Sequence, residues 1–228
     1  MSICLFTDCS SNDSDDDAPA YNSSSVSRKL WGGWRRSINN GSTELLLWDN
    51  GKLYYKQTNQ NSGSNFSWNY NEGTRILATT ASDYQWEITL SDSTSWTGIA
   101  LYGSKSTVKF SRASAFFSAM VALGERTWIN SRDNTEWTPN NKYPETRLNM
   151  KNGNTRVQII PDYIVRIEES VAQDKIFVRQ YSSYSYKQVI YECVIDHPYS
   201  YKNIRVSCKW DPNYGDGYHS DMYLRPKN

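Results

Sequence analysis

Between Trp31 and Arg112 apolar and polar residues alternate in short runs. The clearest run sets Tyr84, Trp86, Ile88 and Leu90 against Gln85, Glu87, Thr89 and Ser91, and Phe66, Trp68 and Tyr70 against Ser67, Asn69 and Asn71 repeat it. A period of two sends successive side chains to opposite faces, the mark of an antiparallel strand with one buried and one wet face. The same texture predicts strands at Trp34 to Ile38, Glu44 to Trp48, Lys52 to Gln57, Phe66 to Asn71, Arg75 to Thr80, Tyr84 to Leu90, Trp96 to Tyr102 and Thr107 to Ser111. Asn40-Gly41 and Asn50-Gly51 supply tight turns, because both residue types tolerate the positive φ of favoured two-residue hairpins. The succession predicts an up-and-down meander, closed as a small eight-stranded barrel or folded as a sandwich. Eight strands enclose a space that side chains just fill, and Trp68, Tyr70, Tyr84, Trp86 and Leu90 are bulky enough to fill it.

The period then changes. Ala113 to Leu123, ending at Gly124, is the one convincing helical stretch. Beyond it, Pro139-Asn140-Asn141 reads as a loop. Thr146 to Met150 and Thr155 to Ile160 flank an Asn152-Gly153 turn, and Tyr163 to Glu168, Ile176 to Tyr181, Gln188 to Ile195, Ile204 to Trp210 and Tyr218 to Leu224 read as further strands. The fold class is therefore all-β, with an antiparallel unit and its terminal helix over 29–124 and a second antiparallel unit over 125–228. One continuous sandwich is the alternative.

Two cysteines constrain the second unit. If Gln188 to Ile195 and Ile204 to Trp210 pair as a hairpin with Cys193 opposite Cys208, Ile195 faces Val206 and Tyr191 faces Trp210 on one side. Glu192 then faces Lys209 on the other. One register satisfies the apolar face and the charge pair together. Directly opposed cysteines at a non-hydrogen-bonded pair lie close enough for a disulfide; two reduced core thiols side by side are the alternative. There is no C-x-x-C, and the spacing does not make a zinc site.

Charge divides the chain further. The whole carries 25 Lys and Arg against 24 Asp and Glu, a net charge of +1, which is not the basic balance of a nucleic-acid binder. The sum averages two unlike parts. Residues 1–27 hold Asp8, Asp13, Asp15, Asp16 and Asp17 and no lysine or arginine, leaving a mildly basic body suited to anionic surface partners. Residues 10–28, acidic and serine-rich, have too little apolar surface to offset the entropy of ordering and read as a flexible tether.

The run Met1-Ser2-Ile3-Cys4-Leu5-Phe6-Thr7-Asp8-Cys9, followed by Ser10-Ser11-Asn12-Asp13-Ser14-Asp15-Asp16-Asp17, resembles the end of a bacterial lipoprotein signal peptide and the tether of surface-exposed Gram-negative lipoproteins. Asp8 stands where that family prefers a small neutral residue. The resemblance implies that residues 1–9 are a signal-peptide remnant, that Cys9 is lipidated, and that the protein meets the outer membrane through a lipid anchor. Export would also place Cys193 and Cys208 in an oxidising compartment. Gly32-Gly33-Trp34 and the run from Trp68 to Ile88 resemble the small lipocalin-like domains of such lipoproteins. By that resemblance Trp34 plugs the closed end of the barrel and Arg112 packs over it.

Catalytic signatures are sparse. His197 and His219 lie in polar turns and read as solvated loop residues. Asp211-Pro212-Asn213-Tyr214-Gly215-Asp216-Gly217 is a poor calcium loop, with no glutamate at the twelfth position. Glu168 and Glu169 are adjacent on a predicted strand and so face opposite ways. The sequence calls for no cofactor, metal or catalytic residue. What remains is a set of tyrosines, Tyr181, Tyr184, Tyr186, Tyr199 and Tyr201, expected as surface aromatics suited to sugar stacking or protein contact. Two functions follow. One is a non-catalytic envelope protein displaying a surface for a glycan or an outer-membrane protein, the latter as an accessory subunit. The other is a lipocalin-like carrier of a small apolar ligand.

Overall fold

The computed structural model of the protein describes residues 25–39, 41–58, 60, 63–80, 85–90, 94–124, 126–140, 148–160, 165–182, 187–213 and 221–227. After a short helix, α1 (Ser25–Leu30), come eight strands: β1 (Gly32–Ile38), β2 (Gly41–Leu47), β3 (Lys52–Gln57), β4 (Ser64–Asn71), β5 (Ile76–Thr79), β6 (Trp86–Leu90), β7 (Ser95–Ala100) and β8 (Thr107–Arg112). Each pairs antiparallel with the next, and β1 closes on β8 through Trp34 opposite Arg112 and Arg35 opposite Ser111. The meander is thus a closed barrel rather than a sandwich.

Its interior follows from the alternation. Leu45, Leu47, Leu53, Trp68, Leu77, Trp86, Ile88, Trp96, Val108 and Phe110 are buried together around Trp34. Trp96 stacks on Phe110 with ring centroids 4.2 Å apart, and Trp86 packs obliquely against both, at 5.9 and 5.7 Å. Among the expected inward residues, Trp68 and Trp86 are buried and Tyr70 is half-buried against this cluster; Tyr84 and the Leu90 side chain lie outside the described residues.

Helix α2 (Ala115–Gly124) follows β8. The Ser114 hydroxyl accepts a hydrogen bond from the Phe117 amide at 3.2 Å, an N-terminal cap, and the Trp128 indole donates to the Leu123 carbonyl at 3.0 Å near the other end. Apart from the buried Ser118, the sequence Ala-Phe-Phe-Ser-Ala-Met-Val-Ala-Leu is apolar all round, as suits a helix sandwiched between two layers. Expected as the terminal helix of the first unit, α2 packs between the two: Phe117 and Ser118 lie against Gly33, Phe117 meets Tyr54, and its buried side chains share a cluster with Leu46, Trp48 and the second sheet.

That second unit is a nine-stranded antiparallel sheet: β9 (Trp128–Asn130), β10 (Glu136–Asn140), β11 (Leu148–Asn152), β12 (Thr155–Ile160), β13 (Val165–Ser170), β14 (Lys175–Tyr181), β15 (Val189–Asp196), β16 (Arg205–Trp210) and β17 (Met222–Pro226). Its order is β12-β11-β10-β9-β17-β16-β15-β14-β13, so the last strand inserts between β9 and β16. The sheet curls until the Tyr191 hydroxyl on β15 donates to the Gln158 and Ile159 carbonyls on β12, each at 3.2 Å.

The loop expected at Pro139-Asn140-Asn141 is corrected in part, because Pro139 and Asn140 belong to β10. Among the described residues β10 pairs with β9 through Glu136 and Trp137, and with β11 through Thr138, Pro139 and Asn140. The proline falls where β9 no longer lies alongside, so the side of β10 left without that neighbour can accommodate its missing N–H. The cysteine hairpin has the expected register, with Tyr191 opposite Trp210, Glu192 opposite Lys209, Cys193 opposite Cys208 and Ile195 opposite Val206. Cys193 and Cys208 form a disulfide across Cα atoms 4.1 Å apart. Peptide mapping without reductant is expected to recover one peptide pair joined through Cys193 and Cys208. Replacing both by serine should lower stability by about 2–4 kcal/mol in urea unfolding, the usual scale for a loop of this size.

Candidate functional site

The two units meet at the end of the barrel where β1 begins and β8 finishes. The Trp34 indole donates to the Leu30 carbonyl at 2.7 Å and packs edge-on against Trp96. Arg112 lies over Trp34 with its guanidinium carbon 4.1 Å from the ring centroid, so the structure brings together the pair singled out in the sequence. The guanidinium also donates to the Trp31 carbonyl at 2.6 Å and the Lys29 carbonyl at 3.3 Å, tying the entering chain across the barrel end. Burial lowers its pKa from the ordinary arginine value, while Tyr199 and Glu169 on the second unit act in the opposite direction.

Gly32 and Gly33 make this approach possible. Gly32 has φ of +119°, and a Cβ there would overlap the Arg112 guanidinium and stand 3.1 Å from the Tyr199 ring. A Cβ on Gly33 would overlap the Ser118 side chain of α2. The two glycines thus allow the arginine and the helix to reach the barrel wall.

A second set of contacts docks the β2–β3 turn onto the β15–β16 turn. The Asp49 amide donates to the Tyr199 carbonyl at 3.0 Å. Its carboxylate accepts from the Ser200 hydroxyl at 2.7 Å and the Tyr201 amide at 2.8 Å. Asn50-Gly51 forms the tight turn that presents Asp49, with Gly51 at φ +77° and the Asn50 side chain accepting from the Lys52 amide at 3.1 Å.

Among the described residues, two depressions flanking this seam stand out. The larger, about 670 Å³, is lined by Arg28, Arg112 and Lys175 and by Asp49, Glu169 and Asp174, with His197 of the β15–β16 turn among them. His197 is exposed, as expected, but it is not merely solvated: its Nδ1 lies 2.7 Å from an Asp174 carboxylate oxygen, and its amide donates to the Asp174 carbonyl at 2.9 Å. Both residues sit in the left-handed region, φ +50° and +51°. Glu169 accepts the Tyr199 hydroxyl at 2.7 Å, whereas Glu168 turns the other way to Arg179, so the adjacent glutamates do face apart.

The smaller depression, about 460 Å³, is lined by Trp48, Lys52, Asn65, Phe66, Ser67, Thr80, Arg126 and Tyr201. Here the Arg126 guanidinium lies 4.7 Å from the Trp48 ring and 4.3 Å from the Tyr201 ring, and donates to the Tyr201 carbonyl at 2.6 Å. Lys52 reaches the same tyrosine, 4.1 Å from its ring and 2.9 Å from its hydroxyl. Trp48 meets Tyr201 edge-on at 5.7 Å.

Comparison with known proteins adds nothing to this geometry. No family model, no curated protein and no solved structure matches the chain. The site is therefore read from its own residues.

The expected surface tyrosines part company. Tyr199 is not a surface aromatic: it is only 7% exposed, held beneath the seam by its bond to Glu169. Tyr201 is half-buried and lines the smaller depression. Tyr181 is half-buried on the second sheet with Arg166 5.1 Å from its ring. Tyr184, Tyr186, His219, Cys9 and most of the poor calcium loop lie outside the described residues, although Asp211 holds an ordinary turn by accepting from the Asn213 amide at 2.9 Å. Sequence reasoning missed Trp48, Lys52, Phe66 and Arg126. The one signal for them was a tryptophan and a lysine flanking the Asn50-Gly51 turn. Among the described residues no group of three or more His, Cys, Asp or Glu side chains is placed to hold a metal ion, and no helix is long and apolar enough to cross a membrane.

Two predictions follow from the seam. Asp49→Ala removes an acceptor of two hydrogen bonds, and urea unfolding is expected to show a loss of about 1–3 kcal/mol. Burial also raises the pKa of Tyr191 and Tyr199 above the ordinary tyrosine value. An unfolded tyrosine ionises near pH ~10. Above that pH the unfolded chain holds fewer protons than the folded one, so stability present below it is lost as pH rises. Tyr199→Phe should make this alkaline decline shallower, read as urea midpoints through that range.

Proposed function

We propose that this chain is a non-catalytic, lipid-anchored protein of the cell envelope that displays a glycan-binding surface at the seam between its barrel and its second sheet. The carrying observation is the filled barrel. Four tryptophans, Trp34, Trp68, Trp86 and Trp96, with Phe110 and the leucines around them, occupy the space in which a carrier would hold its ligand. This weighs against a lipocalin-like carrier of a small apolar molecule and moves recognition to the outer surface.

The seam has the composition a sugar site needs. Aromatic rings supply flat apolar area, and Asn65, Ser67 and Thr80 supply amide and hydroxyl groups that match sugar hydroxyls. Placement at the envelope is supported by Cys9 with the acidic tether behind it, and by a disulfide of the kind that persists in oxidising compartments.

The purified chain is expected to bind a defined subset of a glycan array, and mass spectrometry of natively expressed protein should find an acylated Cys9. Silence on the array with co-purification of an outer-membrane protein would replace the glycan by a protein partner. An unmodified Met1 with a free Cys9 would remove the anchor.

A further inference from the structure

The curled sheet has β12 at one edge and β13 at the other, and the two edges differ. An edge strand offers a row of backbone donors and acceptors to any extended chain that comes alongside, so proteins blunt such edges with prolines, bulges or covering groups. β12 is covered in part, because its Gln158 and Ile159 carbonyls accept the Tyr191 hydroxyl. β13 pairs, among the described residues, with β14 alone, over all six of its residues and without a shift in register. It holds no proline, and none of its residues is fully buried. Glu169 and Ser170 at its end line the larger depression, so this part of the strand opens onto the surface.

Val165 and Ile167 pack toward the core of the second unit, and Arg166 and Glu168 lie exposed on the other face. Arg166 stands directly opposite Arg179 of β14. Like charges in that position repel. Arg179 is itself held by Glu192 at 2.6 Å and Glu168 at 3.3 Å, whereas Arg166, with its guanidinium carbon 5.1 Å from the Tyr181 ring, has no carboxylate partner among the described residues. A carboxylate brought along the outer edge of β13 would relieve that repulsion.

The strand carries such a carboxylate two residues on. When a second copy of β13 lies antiparallel across a two-fold axis, the residue on the axis fixes the register. Centring on Arg166 sets arginine against arginine, and centring on Glu168 sets glutamate against glutamate. Centring on Ile167 sets Arg166 opposite Glu168 of the second copy, twice over, with the two Ile167 side chains meeting on the other face. We propose that β13 pairs edge to edge with β13 of a second copy of this chain, joining the two nine-stranded sheets in a symmetric dimer. A contact one strand long is small and fits a dimer that forms and dissociates with concentration, not an obligate one.

The test is sedimentation velocity of the full chain from about 1 to about 300 µM, a range suited to a small interface. The monomer is expected to give way to a dimer as concentration rises, and hydrogen exchange should show the amides of residues 165–170 gaining protection in step. Arg166→Glu and Glu168→Arg each set like charges face to face, and each should weaken self-association by about ten-fold. Both are exposed changes expected to leave the melting temperature nearly unmoved. Mixed together, the two single variants should form a heterodimer, because the acids of one then meet the bases of the other. The double exchange Arg166→Glu/Glu168→Arg should recover the dimer. A monomer across the whole range would overturn the proposal. So would a dimer that leaves residues 165–170 unprotected, or one that both single variants leave unchanged.

Discussion

Three consecutive leucines on β2 have to satisfy two hydrophobic cores. Leu45 and Leu47 point into the barrel, and Leu46, between them, is buried among α2 and the second sheet. A strand buried on one face alternates apolar with polar; a strand buried on both cannot. The wall of β1 and β2 is therefore shared property. Gly32 and Gly33 thin the wall where Arg112 and α2 press against it, and the Asp49 turn at its end clasps the β15–β16 turn. Every feature of the seam, both depressions included, depends on these two units being packed rather than strung together.

Much of this architecture is legible from local pattern. The strands of the first unit, the helix and the cysteine hairpin emerge because each is encoded by a period or a turn within a few residues of itself. The hairpin register is the sharpest case: aligning Cys193 with Cys208 sets an apolar pair and two opposite charges face to face together, although Glu192 takes its ion pair from Arg179 on the next strand. Illegible elements are those whose partners are remote. β9 has only three residues and β10 contains a proline, and both exist because β17 and β11 lie alongside them. The choice of barrel over sandwich rests likewise on the contact between Trp34 and Arg112 at the two ends of the meander.

The site was legible only in part, for the same reason. A run of tyrosines reads as a surface, yet Tyr199 is buried and Tyr201 half-buried in one turn, where Glu169 from a distant strand and Asp49 from a distant turn hold them. Lys52 and Arg126 are unremarkable as letters. They become a pair only when the seam brings both to the ring of Tyr201.

The insertion of β17 between β9 and β16 also sets an order of assembly. The barrel needs mainly contacts between successive strands, and all of them are complete once β8 has been made, so it can close early during synthesis. β9 and β16 acquire their common neighbour only when residues 222–226 arrive. Until then Leu46, Trp48 and the apolar surface of α2 lack their final cover. That interval, which β17 ends, is when association between unfinished chains competes most strongly with folding.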